Sequence, residues 1–298
     1  AQLGRGERVA AAQDLWAAVG AGDVGIDVAL DWLPMLLADD RPPLVQVGVD
    51  MLVTVRAWTA LAARPRLAAL VDRRIGKRVR ALGWLRRAAD DVDDEDLRAS
   101  TVGLVAAFGD RALGKAAVAL AADWRALPEG PRRAVLMAAV RADPAVHDRL
   151  LADVRGEHEH GRAADLAAAL GVVRDPARLR AALALTIDPA IDVRDAINVV
   201  QAAVGEDEIR ADAEAFVVDH LDELLARMPD EWGASLVGTL VTSCDAARLE
   251  SMRAAAEAKL AGRRGARRRI DQAFERFGQC VAQRAVAEPA IARWLQAR

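Results

Sequence analysis

Apolar residues recur at three- and four-residue spacing along almost the whole chain. This spacing places apolar side chains on one face of an α-helix and polar side chains on the other. Clear examples are Val9, Leu15 and Val19; Leu30, Leu33, Leu36 and Leu37; and Leu52, Val55, Trp58 and Leu61. Nowhere do β-branched and aromatic residues alternate convincingly with polar ones, as they do in half-buried strands. The pattern therefore predicts an all-α protein.

Proline and glycine mark the ends of the predicted helices. The Asp-Pro pairs at residues 143–144, 175–176 and 188–189 each predict a helix start, because the aspartate can cap the first turn and proline fits within it. Glycine predicts helix ends, since it readily adopts the left-handed conformation found there. These glycines are Gly20, Gly22, Gly109, Gly156, Gly161, Gly171 and Gly205. The result is about 15 helices of about 10 to 20 residues, joined by loops of about 2 to 6.

Helices of this length and spacing are expected to form consecutive antiparallel hairpins. A hairpin cannot bury its apolar face alone, so neighbouring hairpins stack and the stack curves. We therefore predict a HEAT- or armadillo-like α-solenoid, a bowl whose concave surface can hold a partner. The acidic segment, residues 90–96, is the best candidate for a break, but helical spacing resumes directly after it. The prediction is a single domain over residues 1–298.

Composition and charge argue against two classes of partner. Hydrophobic residues make up 53% of the chain, enough for a large core, and the formal net charge is −3. This charge leaves no positive surplus to neutralise a nucleic-acid backbone. No apolar run approaches the roughly 20 residues that cross a bilayer. Neither nucleic acid nor a membrane is therefore an expected partner.

The only cysteines, Cys244 and Cys280, are far apart in sequence and form no C-x-x-C motif. They indicate neither a zinc ribbon nor a disulfide scaffold. The expected environment is a reducing compartment, and the expected location is the cytoplasm.

The acidic segment offers the first candidate for chemistry. Residues 90–94 fit the D-D-x-x-D pattern with which all-α prenyl-diphosphate enzymes bind magnesium; the ligands would be Asp90, Asp91 and Asp94. Such a site needs carboxylates from a second helix, and near Asn198 only Glu206 has a suitable offset. The alternative is that Asp93 or Asp94 caps a helix whose acidic first turn is favoured by the helix dipole. We favour capping over a magnesium-dependent enzyme.

Other constellations also fall short of a catalytic site. His158 and His160 are spaced by two, whereas the zinc motif H-E-x-x-H needs a second histidine at position 162, which is Arg162. The flanking glycines predict a charged loop there. No serine lies in a G-x-S-x-G context and neither cysteine has a histidine partner motif. The basic run at residues 263–269 is either a site for phosphate or an acidic peptide or, as we favour, a solvated loop and helix start. No catalytic, cofactor-binding or metal-binding residue is predicted.

Short motifs in the first half of the chain follow one another in a characteristic order. They are Glu7-Arg8-Val9, Gln13-Asp14-Leu15-Trp16-Ala17 and Gly22, then Leu82-Gly83-Trp84, Leu97-Arg98 and Gly109-Asp110. This order resembles the "E-R … D-x-W-x-L … G" and "L-G-W … E … L-R" passages of the α-helical C-terminal domain of endoplasmic-reticulum and puromycin-sensitive aminopeptidases. These enzymes are aminopeptidase N-type zinc metallopeptidases.

The second half continues the resemblance, with departures. Residues 169–196 follow the family's "A-L-G … D-P … L … A-L … I-R-x-Q-D" segment, and residues 210–224 follow "G-R-x-x-A-W-x-F-v-x-x-N-W-x-x-L" in part. Residues 275–295 closely resemble the closing helices. Several positions in the two middle segments carry a residue other than the usual one, which indicates a divergent member. They are Asp192, Arg194, Glu214, His220 and Leu221.

The resemblance implies a part of an enzyme. In that family zinc, its H-E-x-x-H ligands and the general base belong to a preceding catalytic domain, so this chain would hold no cofactor. Its expected partners are that catalytic domain, the β-sandwich domain that follows it, and a peptide substrate that the bowl helps to enclose. The expected carboxylate binders are Arg194, Arg210, Arg267, Arg268 and Arg269. The alternative is a free-standing helical-repeat scaffold that binds a peptide or protein.

Overall fold

A computed structural model describes residues 4–229, 236–238, 243–260 and 262–298. Over these residues the chain forms sixteen α-helices and no strand, which confirms the all-α prediction. The solenoid shape remains a prediction. The helices are α1 (Arg5–Ala21), α2 (Ile26–Ala38), α3 (Pro42–Trp58), α4 (Arg64–Val71), α5 (Lys77–Leu82), α6 (Val92–Ala107), α7 (Arg111–Leu120), α8 (Glu129–Ala142), α9 (Pro144–Val154), α10 (His160–Leu170), α11 (Pro176–Leu183), α12 (Val193–Val204), α13 (Arg210–Asp219), α14 (Leu221–Arg227), α15 (Ala246–Leu260) and α16 (Ala266–Gln296).

The chain divides into two compact units, residues 1–116 with 282–298, and residues 117–281. The prediction of a single domain over residues 1–298 therefore stays a prediction. Short 3₁₀ segments lie between several of the α-helices, among them Leu61–Ala63, Ala121–Ala126 and Ala184–Thr186. A π-helical turn, Asp72–Gly76, joins α4 to α5. None of the described helices is both long enough and apolar enough to cross a membrane.

The first unit is centred on α3, which packs against α1, α2 and α6. Leu33 and Leu52 are fully buried in its core. The last turns of α16 join the same unit, because Trp294 Nε1 donates a hydrogen bond to Asp31 Oδ1 over 3.0 Å. Residues from both ends of the chain thus share one core.

The second unit is centred on α10, which packs mainly between α8 and α12. Leu166 and Val199 are fully buried at these contacts. Gly171, directly after α10, lies so close to α12 that an added Cβ would stand 2.3 Å from the Val199 carbonyl oxygen. This close approach packs the C-terminal end of α10 against the middle of α12.

The predicted helix starts are confirmed at two of the three Asp-Pro pairs. Asp143 accepts a hydrogen bond from the Ala145 N–H and caps α9, and Asp175 caps α11 in the same way. The start predicted at Asp188 is wrong. Asp188 accepts from the Ala190 N–H within a turn, and α12 begins later, capped by Asp192.

Of the helix ends predicted at glycines, some are confirmed and others are wrong. Gly22 and Gly109 follow α1 and α6 with φ of 83° and 91°, as predicted. Gly20 lies within α1 instead of ending it. Gly161 lies in the first turn of α10, because Glu159 caps that helix by accepting hydrogen bonds from the next N–H groups. The predicted charged loop is therefore shorter and ends at Glu159, directly before α10.

Cys244 and Cys280 form a disulfide, with their Cα atoms 5.4 Å apart. The expectation of no disulfide is therefore wrong. Arg253 on α15 also forms an ion pair with Asp271 on α16, at 3.2 Å. Both contacts fit one register in which α15 and α16 run antiparallel, so the hairpin brings together cysteines that the sequence separates by 36 positions.

Candidate functional site

Arg194 lies in the first turn of α12, and its side chain pairs with Asp192, the residue that caps this helix. Its backbone N–H donates to Asp192 Oδ1 over 2.9 Å, and its Nε lies 3.0 Å from the same oxygen. This guanidinium lowers the pKa of the Asp192 carboxyl to about 2, and the hydrogen bond raises the pKa of Arg194. The Arg194 side chain is exposed. Its predicted contact with a peptide carboxylate is untested, and the guanidinium already pairs with Asp192.

Arg210 is the first residue of α13, and its side chain is only 13% exposed. Its Nη1 lies 2.6 Å from Asp207 Oδ1, and its Nε donates to the Val204 carbonyl oxygen over 2.6 Å. These two contacts fix the turn between α12 and α13. The structure thus gives Arg210 a local packing role; its predicted contact with peptide remains untested.

The basic turn, residues 263–269, joins α15 to α16. Arg263 Nη2 donates to the Leu225 carbonyl oxygen over 3.0 Å, which ties this turn to α14. Gly265 has a φ of 72° and permits the sharp change of direction before α16. Residues 267–269 follow in the first turn of α16, and all three arginine side chains are exposed. Their predicted role as carboxylate binders is untested.

Asp90 of the acidic segment is an ion-paired, buried residue. Its side chain is 2% exposed and accepts hydrogen bonds from the Arg87 backbone N–H at 2.7 Å and from Arg87 Nη2. The Arg98 guanidinium, also buried, contacts Asp90 Oδ2, the oxygen that also accepts from the Arg87 N–H. The Arg87 N–H and side chain, followed by Arg98, lower the pKa of Asp90 to about 2. Its carboxylate is thus committed to structural contacts.

The rest of the acidic segment starts α6. Asp91 is the cap, because α6 begins at Val92 and the Asp91 Oδ1 accepts from the Asp94 N–H over 2.9 Å. The prediction of capping is correct in kind, but the capping residue is Asp91 and not Asp93 or Asp94. Acidic residues then fill the first turn, where the helix dipole favours them.

His160 lies beside two carboxylates that the sequence keeps far away. Its Nδ1 is 2.8 Å from Asp195 Oδ2 on α12. One ligand atom each from His160, Asp192 and Asp195 lie within 4.8 Å of one another, the one such cluster found in the described part of the chain. Sequence reasoning missed it because His160 and Asp195 are 35 residues apart and meet only through the packing of α10 on α12.

A cavity of about 470 Å³ lies in the first unit, with Val105 and Phe108 on its apolar wall. Arg80 Nη1 closes one side, 2.5 Å from Asp72 Oδ1 and 2.6 Å from Asp110 Oδ2. Asp72 is the first residue of the π turn, and Gly76 is its last. The Gly76 backbone lies so close to the Asp72 carboxylate that an added Cβ would stand 2.3 Å from Asp72 Oδ1. The Arg80 guanidinium is thus already paired with the two carboxylates that line this cavity.

Over the described residues the fold is all-α, and its basic turn is exposed. Residues 1–277 match the family described as the ERAP1-like C-terminal domain, and the chain belongs to that family. The resemblance inferred from the short motifs is thereby confirmed. No curated protein matches the chain.

Proposed function

We propose that this chain is the non-catalytic C-terminal domain of a zinc aminopeptidase, which closes over the catalytic domain and helps to enclose a peptide substrate. The family match over residues 1–277 carries the proposal. The H-E-x-x-H motif does not occur in the 298 residues, so the zinc and the general base would come from the preceding catalytic domain. The partners would be that domain, the β-sandwich domain and the peptide.

Closure would serve catalysis by excluding water from the zinc site and by retaining the substrate. In this arrangement the domain forms no bond with the reacting atoms. Its contribution lies in the shape of the enclosed chamber and in the contacts made with the part of the peptide that is remote from the amino terminus.

The basic turn is the surface that suits a peptide carboxylate best. A guanidinium can donate two parallel hydrogen bonds to a carboxylate, and residues 267–269 present three such groups together. Arg194 would join them only after leaving Asp192, and Arg210 only after leaving Asp207. We rank residues 267–269 first among the predicted peptide contacts because three exposed guanidinium groups lie on one helical turn.

The expected cytoplasmic location stays a prediction. The Cys244–Cys280 disulfide is the observation that argues against it, because disulfides persist mainly in oxidising compartments. Trapping the thiols of cells with an alkylating reagent before lysis would show which redox state the protein has in its own compartment.

Closure can be tested on the complete gene product by small-angle scattering. A non-hydrolysable peptide should reduce the radius of gyration, because the helical domain moves over the catalytic domain. An unchanged radius at saturating peptide would contradict the enclosing role.

The second candidate is the free-standing scaffold, which the same exposed basic turn and helical architecture would also serve. The two differ in what precedes residue 1 in the gene. A coding region with H-E-x-x-H upstream supports the aminopeptidase domain, whereas a start codon at or near residue 1 supports the scaffold.

A further inference from the structure

Asp195 carries a charge that its described contacts compensate only in part. Its side chain is 13% exposed, and the one hydrogen bond described for its carboxylate is with His160 Nδ1 at 2.8 Å. A carboxylate can accept about four hydrogen bonds, and a charge removed from water needs an opposite charge. Asp90, by contrast, has two guanidinium partners. Asp195 therefore has capacity for a cation.

The groups around Asp195 are donors of the type that bind metals. His160 opens α10 with an exposed imidazole, Asp192 caps α12, and their ligand atoms lie within 4.8 Å of each other and of Asp195. One imidazole nitrogen with carboxylate oxygens suits borderline divalent cations, zinc above all. Because α10 and α12 pack closely together, the two backbones hold these donors near each other.

We propose that His160, Asp192 and Asp195 bind one divalent cation, with Zn²⁺ as the best fit and water completing a tetrahedral shell. Ligands about 2.0–2.2 Å from zinc lie about 3.4 Å apart in a tetrahedron. The required adjustment falls on the His160 and Asp192 side chains, which are more exposed than that of Asp195.

Arg194 competes with the cation for the Asp192 carboxylate. Its guanidinium occupies both oxygens of Asp192, and the pKa of Arg194 is raised by Asp192 and, to a smaller extent, by Asp195. An exposed ion pair of this kind is weak, so a cation can displace it. The positive end of the α12 dipole also opposes a cation, which makes both carboxylates necessary. Removing the Arg194 guanidinium should consequently strengthen binding.

The test is a Zn²⁺ titration of the intact chain by calorimetry, without reductant so that the cysteines stay in their disulfide. We expect one site in the wild-type chain. His160→Ala and Asp195→Asn should each weaken it by more than about tenfold, since each removes a ligand. Arg194→Ala should tighten it. His158→Ala is the matched control and should bind as the wild type does, because this neighbouring histidine lies outside the cluster.

Folding and binding are separated by two further measurements. Circular dichroism reports whether each variant is folded. If Asp195→Asn does not fold, the His160→Ala variant decides the test, because the His160 side chain is 62% exposed. Co²⁺ provides an independent readout, because its visible absorption reports a tetrahedral site directly. Wild-type chain that binds no Zn²⁺, or His160→Ala that binds it as tightly as the wild type, overturns the proposal.

Discussion

The acidic segment and the basic turn are two of the densest runs of charge in the chain, and the fold uses them in opposite ways. In the acidic segment, Asp90 is buried against two arginines and Asp91 caps α6. In the basic turn, residues 267–269 point into solvent from the first turn of α16. The two runs therefore differ in exposure: the acidic segment supplies a buried ion pair and a helix cap, whereas the three arginines at the start of α16 stay exposed.

The hairpin that carries the basic turn should depend strongly on its disulfide. Reduction of the Cys244–Cys280 bond is expected to lower the free energy of unfolding by about 3 to 4 kcal/mol, because it releases a loop of 36 residues in the unfolded chain. Chemical denaturation with and without a phosphine reductant measures this difference.

The double variant Cys244→Ser/Cys280→Ser serves as the control for reduction. Its stability should match that of the reduced wild type and should not respond to the reductant. Equal stability of oxidised and reduced wild-type protein would mean that the disulfide does not stabilise the hairpin.

The acidic segment should depend on its buried arginine. Arg98→Ala leaves Asp90 buried with one guanidinium partner fewer, and we expect the melting temperature to fall by about 6 to 10 °C. Arg86→Ala is the matched control, since Arg86 pairs with Glu95 at the surface and should cost about 1 °C or less. Calorimetry measures both, and equal shifts would remove the contrast between buried and exposed charge.

The basic turn should show the opposite behaviour. Replacing Arg267, Arg268 and Arg269 with alanine should leave the melting temperature almost unchanged, because the side chains are exposed. In the complete enzyme the same triple variant should raise KM for long peptides by about tenfold, a loss of roughly 1.4 kcal/mol of binding. Steady-state kinetics with long and short peptides measures the effect.

A charge-matched control for that experiment removes three exposed arginines from other helices. They are Arg66, Arg149 and Arg180. This variant should keep the wild-type KM, since only overall charge changes. An equal rise in KM for both triple variants would indicate general electrostatics instead of a specific contact.

The smallest expected effect concerns a buried group that must stay neutral. His147 is 0% exposed, and burial lowers its pKa below 6.5. The unfolded chain therefore takes up this proton first on acidification. The unfolding free energy should fall as pH drops from 6.5 through the folded-state pKa, by at most about 1.4 kcal/mol per pH unit, and be fully retained above 6.5.

Two histidine variants isolate this contribution. Unfolding experiments between pH 7.5 and pH 5.5, chosen as about one unit either side of the free imidazole pKa, should show a smaller pH slope for His147→Gln than for the wild type. His158→Gln, at an exposed position, should leave the slope unchanged. Identical slopes for all three proteins would contradict the role of His147.

Local features of the fold could be predicted from sequence. Helix faces and the caps Asp143 and Asp175 are set by residues within one or two turns, and both caps lie where the Asp-Pro pairs predict them. The helix start predicted at Asp188 is wrong because a second aspartate, Asp192, lies four residues later and caps α12.

The candidate sites could be predicted only in part, because they depend on contacts between distant residues. The exposure of the basic turn follows from its composition. The pairing of Cys244 with Cys280 needs the α15–α16 hairpin, and the meeting of His160 with Asp195 needs α10 to pack on α12. Sequence patterns with helical spacing cannot predict contacts between residues that are about 35 positions apart.

The central claim, that this chain is the accessory part of a zinc aminopeptidase, is tested most directly by an activity comparison. The chain alone and the complete gene product should be assayed with a panel of aminoacyl-coumarin substrates, each with and without a zinc chelator. We expect activity in the complete protein only, and its loss on chelation. Activity in the chain alone, or chelator-resistant activity in the complete protein, would contradict the claim.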